Sequence, residues 1–243
     1  MRRFGLIGYP LGHSFSKKYF TEKFEKEAIT DSVYDVFPLE KIDGLTGLLQ
    51  RVPDLSGLNV TIPHKEKVIG FLHEKSKVVT KTGACNCIKI SNGKLSGHNT
   101  DVIGFQQSLV DSFPNLPSRA LILGTGGASK AVEYVLSQLK IPYVLVSRKP
   151  STNNLSYEQV TEAIVKRSGL IINTTPLGMS PHIVEAPPIP YQAIGSSHCL
   201  FDLIYNPAKT LFLTKGEESG AAIQNGLAML IIQAEESWKI WNS

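Results

Sequence analysis

Ala120-Leu121-Ile122-Leu123-Gly124-Thr125-Gly126-Gly127-Ala128-Ser129 decides the fold of this chain. Four apolar residues in succession read as a strand covered on both faces, and the glycines that interrupt them open a helical pattern over 129–139. A second short strand, Tyr143 to Val146, follows. Strand, glycine-rich turn, helix and strand make up the opening of a dinucleotide-binding unit. Gly124 permits the tight turn, Gly126 lets the backbone approach a pyrophosphate, and the amides that begin the helix receive its negative charge. The usual fingerprint carries its third glycine at 129, where this chain has Ser129.

One strand later the sequence addresses which dinucleotide is bound. A site for NAD ends its second strand in Asp or Glu, which holds the ribose hydroxyls. Here the strand ends Val146-Ser147-Arg148-Lys149, without an acid. The Arg148 guanidinium offers a fork to a 2′-phosphate, and Lys149 adds a point charge. NADP is the expected cofactor.

Outward from this unit, short β-rich runs alternate with helical patterns, which predicts an α/β protein with mainly parallel sheets. Ahead of it, strands are expected at Phe4 to Ile7, Val33 to Phe37 and Leu58 to Ile62, and helices at Ser16 to Ala28, Lys41 to Gln50 and Lys65 to His73. Ala84 to Ile90 and Lys94 to Gly97 read as a hairpin around Asn92-Gly93. A second domain begins near Asp101, with a helix from Val102 to Ser112. Further on come strands at Leu170 to Ile172 and Leu200 to Ile204, a surface connection at Ala186-Pro187-Pro188-Ile189-Pro190, and a last helix from Leu227 to Trp241.

With 243 residues, 42% apolar and 19% charged, the chain has the composition of a globular protein large enough for two modest domains. The formal charge of +4 comes from lysines scattered among glutamates, with no basic stripe interleaved with aromatics, so no nucleic-acid partner is expected. No apolar signal core follows Met1-Arg2-Arg3, and the run Leu227 to Ile232 falls well short of the about 20 residues that cross a bilayer, so no membrane partner is expected either. Three cysteines, an odd number, suit a reducing compartment, and a cytoplasmic location is expected.

Three stretches concentrate hydrogen-bonding side chains. In Gly12-His13-Ser14-Phe15-Ser16, two hydroxyls just ahead of a helix can donate to a carboxylate beside its N-terminus, or simply cap it. In Asn59-Val60-Thr61-Ile62-Pro63-His64-Lys65, period two puts Asn59 and Thr61 on one face with Val60 and Ile62 packing behind them. Lys65 then opens a helix, where a cation opposes the dipole; this misfit makes it a candidate for proton transfer. In Ala84-Cys85-Asn86-Cys87, alternation turns both cysteines to one side as core filling and Asn86 to the other, and C-x-C without a second pair is poor metal spacing. Asn86 would join Asn59 and Thr61 as a polyol ligand, and Asp101, after His98-Asn99-Thr100, caps a helix or pairs with Lys65 as an acid–base couple.

These stretches, in this order, resemble the signatures of shikimate dehydrogenases. The resemblance continues through Ile172-Asn173-Thr174-Thr175-Pro176-Leu177-Gly178-Met179, Asp202-Leu203-Ile204-Tyr205 and Asn225-Gly226-Leu227-Ala228-Met229-Leu230-Ile231-Ile232-Gln233, and so covers nearly the whole chain. It implies an N-terminal α/β substrate domain, residues 1–100 rejoined by 226–243, and a Rossmann-like NADP-binding domain with a parallel sheet, residues 101–225. It implies that Ser14 and Ser16 bind the substrate carboxylate, that Asn59, Thr61, Asn86, Tyr205 and Gln233 surround its hydroxyls, and that Lys65 and Asp101 are catalytic. Gly124, Thr125, Gly126, Gly127, Ala128, Arg148, Thr174, Leu203 and Gly226 would line the NADP site. The implied activity is reversible NADPH-dependent reduction of 3-dehydroshikimate to shikimate, with small molecules as partners, no metal, and a monomer or homodimer as the working form.

The sequence departs from that pattern where the common Asn-Arg-Thr is Ser147-Arg148-Lys149, where a further basic residue is replaced near Thr152, and where Ala-Val-Asn-Thr is Ala84-Cys85-Asn86-Cys87. The chain is also short for the family, which points to trimmed loops in the nucleotide domain. Three other readings compete: a quinate/shikimate dehydrogenase with relaxed cofactor use, a non-catalytic sensor of the nucleotide or hydroxy-acid, and an enzyme whose acid–base residue is His13, His64 or His98.

Overall fold

The computed structural model describes residues 1–11 and 15–243, so His13 and Ser14 lie outside the described residues. The chain divides into two compact units, Met1–Thr100 with Ala234–Ser243, and Asp101–Gln233.

The first unit contains β1 (Arg2–Gly8), α1 (Phe15–Lys26), β2 (Ser32–Pro38), α2 (Gly44–Arg51), β3 (Leu55–Val60), β4 (Glu74–Lys75), α3 (Lys77–Thr82), β5 (Cys87–Ser91) and β6 (Lys94–His98). Its six-stranded sheet runs β2-β1-β3-β5-β6-β4. The pairs β1·β2, β1·β3 and β4·β6 are parallel, and the hairpin makes β3·β5 and β5·β6 antiparallel. Strand alternation sorts the side chains onto two faces. Ile7, Leu58, Val60 and Ile88 pack with Leu45 and Leu48 of α2, whereas Phe4 and Leu6 pack with Phe20 and Phe24 of α1. On the second face sit Ala234 and Trp241 from the returning C-terminal segment. Trp241 stacks on Phe4 with ring centroids 4.8 Å apart and donates its indole N–H to the Ile88 carbonyl at 3.0 Å. Gly57 lies against that indole so closely that an added Cβ would collide with it, which explains a glycine inside a strand.

The second unit contains α4 (Asp101–Ser112), β7 (Ala120–Leu123), α5 (Gly127–Gln138), β8 (Tyr143–Val146), α6 (Glu162–Arg167), β9 (Leu170–Asn173), β10 (Cys199–Asp202), α7 (Leu211–Glu218) and β11 (Ala222–Gln224). Helix α8 (Leu227–Asn242) belongs to this unit through Gln233 and to the other from Ala234. The sheet order is β11-β10-β9-β7-β8, and every pair is parallel. Ala120, Leu121, Ile122 and Leu123 are fully buried, as expected of a strand covered on both faces. The first strand of the unit, β7, lies between the second, β8, and the third, β9. Chain order therefore reverses at β7, and in open α/β sheets ligands bind beyond the carboxyl ends at such a point.

Several expectations need correction. The stretch from Lys65 to His73 forms only a 3₁₀ turn at Lys67–Phe71, because β-branched Val68 and Ile69 followed by Gly70 disfavour an α-helix. Lys65 therefore precedes a short turn and opens no α-helix. Strand β3 ends at Val60, leaving Thr61 beyond it and Ile62 67% exposed, so Ile62 does not pack behind the polar face. Strand β5 starts at Cys87; Cys85, ahead of it, joins the α2 core while Cys87 joins the α1 core, so the two thiols do not share a side. Both are nonetheless fully buried core filling. Ile189, in the proline-rich connection, is 7% exposed and packs into the second unit's core, so that connection is not purely superficial.

Candidate functional site

The candidate nucleotide site lies at the carboxyl edge of the second unit's parallel sheet. Gly124 leaves β7 with φ of +108°, a conformation that a side chain rarely tolerates, and a Cβ there would lie 2.6 Å from the Thr174 hydroxyl. Thr174 in turn donates its amide and its hydroxyl to the Leu123 carbonyl, at 2.9 and 2.8 Å. Gly126 caps α5 in extended conformation, is exposed, and an added Cβ would meet nothing within 4 Å. The approach to the first amides of α5, at Gly127 and Ala128, is therefore open on that side. A helix start with open amides fits an anionic pyrophosphate. Ser129, where a third glycine is usual, is fully buried and donates its hydroxyl to the Gly126 carbonyl at 2.7 Å, bracing the turn from within.

The loop after β8 is tied to the same turn. The Ser147 hydroxyl meets the Thr125 hydroxyl at 3.2 Å and accepts the Lys149 amide at 3.2 Å. Arg148 and Lys149 are exposed beyond it. Burial pushes the nearby Tyr157 phenol up, and the charge of Arg148 pulls it part of the way back. Across the sheet, Leu203 donates its amide to the Asn173 carbonyl at 3.0 Å, and Gly226 donates to the Ile204 carbonyl at 3.0 Å. A Cβ at Gly226 would overlap the Leu203 backbone, so only glycine fits there. All the residues expected at the cofactor thus lie on the strand-end loops of one sheet edge or in the first turn of α5.

Beneath these loops lies Asp202, fully buried, which receives hydrogen bonds from Asn173 Nδ2, the Ile204 amide and the Thr210 hydroxyl. Burial nevertheless pushes its carboxyl up to about 6. Burial likewise pushes the phenol of half-buried Tyr205 up. Gln233 is buried near the middle of α8 and donates to the Leu230 carbonyl at 2.8 Å.

The first unit holds a buried polar network that contains Asn59 and Asn86, two of the expected substrate ligands. The Tyr34 hydroxyl donates to Asn59 Oδ1 at 2.8 Å, and Asn59 Nδ2 donates to the Ser237 hydroxyl at 2.9 Å. Ser237 lies 3.2 Å from the Thr100 hydroxyl, which accepts from Asn86 Nδ2 at 3.0 Å. Asn86 Oδ1 accepts the Thr100 amide at 2.7 Å. Ser16, in the first turn of α1, is hydrogen-bonded to Tyr34, whose phenol burial pushes up and this bond pulls down. Thr61, half buried, donates its amide to the Ile7 carbonyl at 2.9 Å. Lys65, also half buried, accepts the Cys85 amide at its carbonyl at 2.8 Å, one residue before Asn86. Asp101 follows Thr100 directly and is buried in the first turn of α4.

Asn59 and Asn86, both named from the sequence, therefore share one network. Tyr34, Thr100 and Ser237, its other members, went unnamed as site residues; a serine between Ala234 and Trp241 on the apolar stripe of α8 was the available signal. Among the histidine candidates, His64 is fully buried with Nε2 2.6 Å from the Leu39 carbonyl, a structural clamp. His98 is held below its ordinary range by burial and by the charge of Lys89. Among the described residues no group of three or more His, Cys, Asp or Glu is placed to hold a metal ion. No helix among them is long and apolar enough to cross a membrane.

Residues 6–88 match the sequence model of the shikimate dehydrogenase substrate binding domain. A shikimate dehydrogenase (NADP(+)) of Halothermothrix orenii is 37% identical over 263 positions, covering 98% of this chain and 89% of that protein. That alignment is longer than this chain, so the relative carries residues inside the matched region that are missing here. Among solved structures, a chorismate mutase/shikimate 5-dehydrogenase fusion protein from Clostridium acetobutylicum superposes with a TM-score of 0.86 at 35% identity, over 99% of this chain and 91% of that one. The shikimate 5-dehydrogenase of Thermus thermophilus, solved with NADP(H) and shikimate, gives 0.87 at 27% identity, over 99% and 93%. A likeness that holds along both units and at more than a third of aligned positions is one of common descent: the chain belongs to the shikimate dehydrogenase family.

Proposed function

We infer that the chain catalyses the reversible NADPH-dependent reduction of 3-dehydroshikimate to shikimate, a step toward chorismate and the aromatic amino acids. The observation that carries this reading is the full-length likeness to NADP(+)-dependent shikimate dehydrogenases, joined to an open glycine turn at the reversal point of a parallel sheet.

The pyrophosphate would lie on Gly124, Thr125, Gly126, Gly127 and Ala128, the 2′-phosphate on Arg148 with Lys149, and the remainder against Thr174, Leu203 and Gly226. Bound NADPH supplies the hydride. Ser14 and Ser16 hold the substrate carboxylate, while Asn59, Thr61, Asn86, Tyr205 and Gln233 take its hydroxyls. Fixing both ends of a rigid ring orients the ketone and removes much of the entropic barrier. Lys65 and Asp101 form the acid–base pair that delivers a proton to the alkoxide oxygen as the carbonyl is reduced, and removes it in the reverse direction. The anchoring of Lys65 beside Cys85 and of Thr100 by Asn86 supports this assignment, since each restrains a backbone next to a proposed proton carrier. The chain would act in the cytoplasm as a monomer or homodimer.

Initial rates with shikimate and with quinate, each with NADP+ and with NAD+, test the reading. Turnover is expected chiefly with shikimate and NADP+. Preference for quinate, or for NAD+, would move the chain to the sister activity. NADPH binding without hydride transfer to either partner acid would make it a sensor.

A further inference from the structure

We propose that Ser237 is a positioning residue for the substrate, fixing the side-chain amides that grip the hydroxy-acid's hydroxyls; the proposal rests on the reading of Asn59 and Asn86 as substrate ligands. Ser237 lies on the buried stripe of α8 with Ala234 and Trp241, and its side chain is fully inaccessible. An apolar residue would fill that position without needing a partner, whereas a buried hydroxyl must be satisfied. Its partners are not incidental core groups. It accepts from Asn59 Nδ2 at 2.9 Å and meets the Thr100 hydroxyl at 3.2 Å, and Thr100 accepts from Asn86 Nδ2.

The orientation of the Asn59 amide follows from both of its ends. Tyr34 donates to Oδ1, which makes that atom the acceptor, and Ser237 takes the Nδ2 hydrogen. A flipped amide would set its oxygen against the Asn86 carbonyl, which can only accept, so Nδ2 belongs on that side and the Tyr34 and Ser237 hydroxyls hold the amide in place. Without Ser237, Nδ2 is left with the long bond to the Asn86 carbonyl, at 3.4 Å. Asn86 loses its indirect brace at the same time, although its 2.7 Å bond to the Thr100 amide persists. Ser237 holds the Asn59 amide directly, whereas the Thr100 backbone beside Asp101 stays fixed by its own 2.7 Å bond to Asn86 Oδ1, so the effect should fall on binding and spare the proton transfer.

The test is Ser237→Ala in the full chain. Loss of one net hydrogen bond predicts a rise in KM for shikimate of roughly three- to tenfold, with kcat within about twofold of wild type and KM for NADP+ unchanged. Ser237→Cys, which keeps the volume and a weaker acceptor, should fall between the two and covers the case in which the alanine variant folds poorly. In an Asn59→Ala background the alanine substitution should add less than it does in wild type, keeping only the brace that reaches Asn86 through Thr100. An unchanged KM for shikimate, an equal rise in both Michaelis constants, or full additivity with Asn59→Ala would each overturn the proposal. Should the wild-type chain turn over no shikimate, that failure belongs to the function reading. The side-chain amide resonances still decide this one: slow proton exchange at Asn59 Nδ2, lost in Ser237→Ala, supports it, and no change removes it.

Discussion

The side-chain amide of Asn173 donates to the carboxylate of Asp202 across 3.1 Å, inside the sheet that carries the nucleotide loops. Asn173 also accepts the amide and hydroxyl of Thr175, at 3.0 and 2.7 Å, while Asp202 receives Ile204 and Thr210. One buried pair therefore fixes the loops after β9 and β10 together.

That pair should make stability depend on pH. Burial holds the Asp202 carboxyl up at about 6, and unfolding returns it to the ordinary range near 4. The folded chain binds this proton more tightly, so the contribution is complete below about pH 4 and is lost as pH rises through about 6. A difference of that size amounts to about 3 kcal/mol. Urea unfolding from about pH 4 to about pH 7 should show wild type losing about 2–3 kcal/mol relative to Asp202→Asn. Parallel pH profiles for the two proteins would sink the idea.

Two glycines of the nucleotide half should respond oppositely to alanine. Gly126 has open space where a Cβ would go, so Gly126→Ala should melt within a degree or so of wild type yet bind NADPH at least about tenfold more weakly. Gly226→Ala forces a Cβ into the Leu203 backbone and should lower stability by more than about 2 kcal/mol. Thermal melts paired with NADPH fluorescence titrations separate the cases, and a stable, tightly binding Gly126→Ala would remove the turn from the site.

Arg148 and Lys149 should carry the choice of NADP over NAD. Each charge-assisted contact contributes about 1.5–3 kcal/mol, so Arg148→Ala should raise KM for NADP+ by roughly ten- to a hundredfold and leave KM for NAD+ nearly unchanged. A parallel loss with both cofactors would place the guanidinium elsewhere.

Lys65→Ala should depress kcat far more than it raises KM for shikimate. His98→Gln should keep most of the activity, and His64→Ala should cost stability first, because His64 is fully buried against the Leu39 carbonyl. A kcat collapse confined to His98→Gln would transfer the acid–base role to that histidine.

Trp241→Ala should destabilise the first unit by about 3–5 kcal/mol, the range for emptying an aromatic core site. Denaturant unfolding measures this directly, and a cost below about 1 kcal/mol would contradict the packing against Phe4 and Gly57.

Legibility in the sequence followed the range of the interactions. Strand β7, its turn and β8 were readable because a run of buried residues, two glycines and a missing acid are all local signals. Strand β4 was not: it is two residues long and is flanked by backbone bonds from His73 to Leu95 and from Ser76 to Gly97. Helix α7 also escaped notice, although Thr210 after Asn206-Pro207 is an N-cap that accepts the Leu213 amide. In the candidate site, Asn59 lies in a strand as its context indicates, whereas Asn86 precedes β5 and shares the network through Thr100 rather than through strand alternation. Ser237 was missed because its partners Thr100 and Asn59 are 137 and 178 residues away in the chain.

The return of Ala234–Ser243 to the first unit has a consequence for how the protein is made. A ribosome releases residues 1–100 long before the segment that carries Ser237 and Trp241 exists. During that interval Phe4, Phe20 and Tyr34 lack the indole that covers them, and Asn59 lacks its Ser237 partner. The nucleotide unit, whose residues 101–233 are contiguous, is free to fold first, and the substrate unit can close only around a tail synthesised after it. Folding order thus runs opposite to chain order: the half that emerges first is the half completed last.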